Sequence, residues 1–97
     1  MDLIVTVKEV KGHCPVYREG DSFRLADGYR LMSEIPVCMH ALSALLPYYN
    51  ALRFVLPEQL GLAGKDETDK AYVQCLDPYC YTGGGTVVFQ ISKTAGK

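Results

Sequence analysis

Cys38-Met39-His40-Ala41-Leu42-Ser43-Ala44-Leu45-Leu46-Pro47-Tyr48-Tyr49-Asn50-Ala51-Leu52 decides the fold class, because here the apolar spacing changes to helical steps. Leu42, Leu45, Leu46, Tyr49 and Leu52 fall three and four residues apart, which makes one buried stripe. Ser33 and Pro36 supply start signals. Pro47 falls within the pattern, where proline removes a backbone hydrogen bond and clashes with the preceding turn, at about 3 kcal/mol in an ideal helix. A kink or break is expected there. The pattern fades by Leu56-Pro57, Glu58 to Leu62 reads as one short turn, and Gly61 to Asp69 as a polar, exposed loop.

On both sides of this helix the period is that of strands. Leu3, Val5 and Val7 alternate with Ile4, Thr6 and Lys8, so the first set faces a core. Gly12-His13-Cys14-Pro15 ends the run, and Pro15 biases Cys14 toward extended geometry. Ser22-Phe23-Arg24-Leu25 is a short second strand between turns at Glu19-Gly20-Asp21 and Ala26-Asp27-Gly28. Lys70 to Cys75 and Thr86 to Ile91 are two further strands that pair as a hairpin across Asp77-Pro78 and Gly83-Gly84-Gly85. The expectation is an α+β domain: a mainly antiparallel sheet of about four strands with one kinked main helix packed on one face. Residues 1–97 form a single domain, with 92–97 frayed.

Composition narrows the function classes. Apolar residues at 48% and charged residues at 22% are ordinary globular usage, and the net charge of -1 lacks the basic excess that draws nucleic acid. Asp2 stands where a signal peptide would be basic, and the first apolar run is too short for a membrane span. The chain therefore reads as cytoplasmic, with no nucleic-acid or membrane partner. In that compartment its four cysteines are free thiols or ligands.

Cys14, Cys38 and Cys75 each sit where an element begins or ends. Cys38 shares the helical stripe with Leu42, so it is either a small buried hydrophobe or a thiol whose thiolate is favoured by the unpaired amides of a first helical turn. Cys75 shares a strand face with Val73 and Ala71, and packing accounts for it equally well. Cys14 belongs to no stripe, so a ligand or reactive role explains it better than packing. Cys80 reads as an incidental exposed thiol. With His13 or His40 as a fourth ligand, Cys14, Cys38 and Cys75 make the soft donor set of zinc or an iron-sulfur cluster. No Cys-x-x-Cys knuckle is present, so that site depends on tertiary convergence. Cys38 and His40 are two residues apart and so would face apart if both were helical. Cys-His nucleophilic catalysis needs an imidazole beside the thiol and an oxyanion donor, and the spacing supplies neither, which leaves enzymatic activity open.

Other features have plainer explanations. Asp66, Glu67 and Asp69 are a solvated cluster. Gly83-Gly84-Gly85 precedes a strand, whereas a phosphate loop precedes a helix. Tyr48, Tyr49, Tyr79 and Tyr81 are half-buried packing or a contact surface.

Gly12-His13-Cys14-Pro15, Gly20-Asp21-Ser22-Phe23, Cys38-Met39-His40-Ala41-Leu42, Leu46-Pro47-Tyr48, Cys75-Leu76-Asp77-Pro78 and Thr86-Val87-Val88-Phe89 give the chain, over nearly its whole length, a resemblance to a family of small uncharacterised prokaryotic proteins frequent in anaerobes. The family pattern maps onto Cys14, Gly20-Asp21, Cys38 and Cys75-x-Asp77-Pro78, while Cys80 and the triple glycine lie outside it. The resemblance singles out the three thiols and implies no activity. The expected function is a three-thiol site for a soft metal, an iron-sulfur cluster or thiol redox chemistry. The alternative is a non-catalytic interaction or homo-oligomerisation module in which the cysteines are packing.

Overall fold

A computed structural model describes residues 2–94 of the protein as α+β. In chain order the elements are β1 (Asp2–Gly12), β2 (Ser22–Ala26), β3 (Arg30–Met32), α1 (Met39–Leu52), a 3-10 turn (Pro57–Leu60), β4 (Ala71–Gln74), α2 (Tyr79–Thr82) and β5 (Gly85–Thr94). The strands form one antiparallel sheet in the order β3-β2-β1-β5-β4. Among the described residues no helix is long and apolar enough to cross a membrane.

The expected alternation in β1 is present: Leu3, Val5 and Val7 are buried, beside Phe23 and Leu25 of β2 and Phe89 and Ile91 of β5. Between Val7 and Glu9 the register against β5 shifts, leaving Lys8 as the extra residue of a β-bulge. The bulge changes which alternate residues face inward, so that Val10 packs against the core beyond it. The Gly20-Asp21 turn closes on the same place. Val7 N–H donates to the Asp21 carbonyl at 2.8 Å and Gly20 N–H donates to the Val7 carbonyl at 2.9 Å.

Five strands are present where about four were expected. The additional one, β3, has three exposed residues at the sheet edge and therefore no apolar alternation to betray it. The turn that makes it possible was legible: Asp27 and Gly28 both have positive φ, at 60° and 83°, and Tyr29 N–H donates to the Ala26 carbonyl at 3.2 Å. This is the primed hairpin turn that Asp-Gly favours. Pairing of β4 with β5 follows the expected hairpin, with the short helix α2 in its connection. β5 runs through Thr94, pairing Ser92, Lys93 and Thr94 with Ile4, Leu3 and Asp2, so these three residues are ladder and not frayed end. Residues 95–97 lie outside the described residues.

The main helix is continuous from Met39 to Leu52 with Pro47 inside it, so of the kink or break expected there the break does not occur. Pro47 and Ser43, the residue four before it, are both exposed, which leaves the carbonyl deprived of its helical donor on the side that water reaches. The buried stripe is also rotated from the expected one. Ala41, Ala44, Leu45 and Leu52 are buried, Leu42 and Tyr49 are half-buried, and Leu46 is 54% exposed. Small alanines let the helix approach the sheet closely, and an inference weighted toward large side chains misses them.

At the far end of the sheet Asp2 fastens β1 to the β2–β3 hairpin. Its carboxylate accepts the Asp27 N–H and an Arg24 guanidinium N–H, both at 3.1 Å. The Asp27 bond holds the Asp2 carboxyl below the ordinary aspartate range, opposed by burial and aided by Arg24. A lowered folded value means that this stabilisation is complete above the ordinary range and is lost as pH falls through the folded one. Asp2→Asn should therefore lower the urea midpoint at neutral pH, and the gap from wild type should close on acidification. A gap independent of pH would assign the role to side-chain shape alone.

Candidate functional site

Three separate elements deliver Cys14, Cys38 and Cys75 to one pocket of about 240 Å3, whose wall also includes His13, Tyr17, His40 and Asp77. Cys80 is exposed on α2 and is not part of that wall. All four thiols are free.

Glycine packing sets the floor of the pocket. His13 N–H donates to the Gly84 carbonyl at 3.0 Å, so the chain leaving β1 lies directly on the chain entering β5. A Cβ at Gly85 would meet the His13 carbonyl oxygen at 2.5 Å and the Cys14 amide nitrogen at 2.8 Å. Gly12, at φ 79°, would place a Cβ 2.4 Å from the Gly84 oxygen. Within the triple glycine the roles differ: Gly83, at φ 76°, turns the chain out of α2 with open space around it, whereas Gly85 provides the close backbone approach. Asp77 holds the same loop from the other side, accepting from the Thr82 hydroxyl and from Gly85 N–H at 3.3 Å, while its carbonyl accepts from the Thr86 hydroxyl. Although Asp77 lines the pocket, its carboxylate is committed to the loop.

Each sulfur has a distinct setting. Cys75, buried just beyond β4, accepts Val87 N–H at 3.3 Å and directs its S–H to the Gly85 carbonyl at 3.6 Å. Half-buried Cys14 accepts Tyr17 N–H at 3.4 Å. Cys38 is the N-cap of α1 and not a first-turn residue: its φ and ψ are -73° and 135°, and its carbonyl accepts Leu42 N–H at 3.0 Å. Its side chain makes no capping bond. Because Cys38 lies outside the helical geometry, it and His40 line the same pocket despite being two residues apart. His13 and His40 are both exposed at the rim.

Among the described residues no group of three or more His, Cys, Asp or Glu side chains is arranged to hold a metal ion. The thiols thus share a wall without meeting at one point. Sequence reasoning missed Tyr17, a buried phenol whose hydroxyl accepts Cys38 N–H at 2.9 Å. It sits in an irregular segment with no periodicity, and its only signal is nearness to Cys14. Comparison of the chain with family models, curated proteins and solved structures found no match.

If the glycine contact places Cys14, Gly85→Ala should cost about 1–3 kcal/mol by overpacking and should change the alkylation rate of Cys14 in the native protein. Gly61→Ala is the control, strained at φ 73° but meeting nothing within 4 Å. It should lower the denaturation midpoint and leave Cys14 reactivity as in wild type. Equal Cys14 rates in all three proteins would show that the contact does not place the thiol.

Proposed function

We propose that the protein is a small thiol-site domain in which Cys14, Cys38 and Cys75 act together on a soft ligand. A thiophilic metal ion of the zinc or iron class, bound with movement of the side chains, is the form most directly tested. The observation that carries the reading is the delivery of three thiols from three elements to one pocket. Further support comes from the backbone N–H groups directed at the sulfurs of Cys14 and Cys75, a setting suited to electron-rich sulfur. His13 and His40 at the rim are the candidate fourth donors.

Cadmium is a suitable probe, because its bonds to thiolates absorb in the ultraviolet. Titration of the anaerobic, reduced protein should give a saturable thiolate band that weakens strongly in Cys14→Ser, Cys38→Ser and Cys75→Ser and persists in Cys80→Ser. Zinc and iron analysis of anaerobically purified protein would identify a resident ion. No cadmium band, or a band untouched by the three pocket substitutions, would overturn the reading.

A second reading, association of two copies of this chain, rests on a different face. Tyr29, Leu31 and Leu46 are 79%, 40% and 54% exposed around an apolar hollow of about 180 Å3 beside the edge strand β3. A free strand edge flanked by apolar side chains is a pairing template. Sedimentation should then show a concentration-dependent dimer that Leu46→Asp abolishes. A wild-type chain that stays monomeric at high concentration would end this reading.

A further inference from the structure

The hydrogen bonding of the pocket is unbalanced by one donor and one sulfur. Cys14 and Cys75 each accept a backbone N–H, whereas no hydrogen bond reaches the Cys38 sulfur among the described residues. Tyr17 is the complementary case. Its ring is held edge-on to Phe89 at 5.5 Å between centroids and stacked near Phe23 at 6.4 Å, and the residue is only 3% exposed. Its hydroxyl accepts Cys38 N–H at 2.9 Å, and no acceptor for its own proton is found among the described residues. A hydroxyl both donates and accepts, and a buried donor left unused is costly.

We propose that Tyr17 is a positioning residue of the three-thiol site, holding the Cys38 amide through its oxygen and donating its proton to the Cys38 sulfur when that sulfur carries a ligand. Each pocket sulfur then has one protein donor: Tyr17 N–H for Cys14, Val87 N–H for Cys75 and Tyr17 O–H for Cys38. Rotation of the Cys38 side chain is the movement required. Burial, first of all, raises the phenol above the ordinary tyrosine value; the Cys38 N–H opposes this, and negative charge at Cys38, Cys14 and Asp21 adds to the rise. The hydroxyl accordingly keeps its proton near neutral pH.

This inference rests on the three-thiol reading, and cadmium separates the two. A hydrogen bond donated to sulfur lowers the energy of its lone pairs, so its removal should shift the thiolate-to-cadmium band to longer wavelength. Tyr17→Phe keeps the ring and removes the hydroxyl; it should shift the band and weaken cadmium binding by about tenfold, with the band still dependent on Cys14, Cys38 and Cys75. Replacing Tyr17 with 4-aminophenylalanine, which retains a donor, should restore both properties. A folded Tyr17→Phe protein with wild-type affinity and band position would overturn the role of Tyr17 alone, and absence of any band in wild type would overturn it together with the site. Should Tyr17→Phe fail to fold, 3-fluorotyrosine placed at position 17 of the otherwise wild-type chain provides the second measurement. Its fluorine resonance should move on cadmium addition and stay fixed in the Cys38→Ser background, and a resonance that ignores cadmium in both proteins would overturn the proposal.

Discussion

Everything at the candidate site depends on two stretches of backbone touching without side chains between them. The central pair β1 and β5 remains together to its last residues, with Gly12 opposite Gly85, and the chain beyond it is then bonded from His13 to Gly84. No Cβ fits at Gly12 or Gly85 without displacing backbone on the other side. Backbone cannot yield as the far end of a flexible side chain can, so this contact sets the position of Cys14 relative to Cys75. Cys75 is tied into the same ladder, since its N–H donates to the Val87 carbonyl at 2.9 Å and its sulfur accepts the Val87 N–H.

The third sulfur arrives by another route. Ala41 and Leu45 seat α1 in the core, and Tyr17, stacked between that core and the pocket, bonds the amide with which the helix begins. One residue thereby connects the Cys14 turn to the Cys38 cap, through its N–H at one end and its hydroxyl at the other. The bulge at Lys8 and the Gly20-Asp21 closure on Val7 hold the segment between them against β1. Packing, ladder and turn chemistry all act at one end of the sheet, while Asp2 performs the corresponding fastening at the other.

What was legible in the sequence follows from how far each signal reaches. Alternation in Leu3 to Val7 is a local property of a strand with one buried face, and it survives folding unchanged. The helix was legible in extent but not in rotation, because Ala41 and Ala44 are buried by their smallness and the larger Leu46 is left outside. β3 is three exposed residues long, too short for an alternation to show, and only the Asp27-Gly28 turn announces it. The three thiols were distinguished by their places at element ends. Their common pocket, its Tyr17 wall and the steric demand on Gly85 are tertiary facts that no window of sequence contains.

Among the three pocket cysteines, Cys38 is the one at a helix cap. The N-cap position favours Ser, Thr, Asp or Asn, whose side-chain oxygen satisfies an amide of the first turn, and a residue without such a bond forgoes about 0.5–2 kcal/mol. Here a half-buried cysteine occupies the cap, makes no capping bond, and precedes a first turn with no acidic residue. A core hydrophobe would be expected inside the stripe, where Ala41 and Leu45 are, and a stabilising cap would be an oxygen. Cys38 instead packs at the margin of the core from the cap position, without a capping bond. The position thus forgoes local capping while lining one pocket with Cys14 and Cys75. The buried Tyr17 hydroxyl accepts the N–H of Cys38 itself, just ahead of the first turn, and leaves the sulfur open to the pocket.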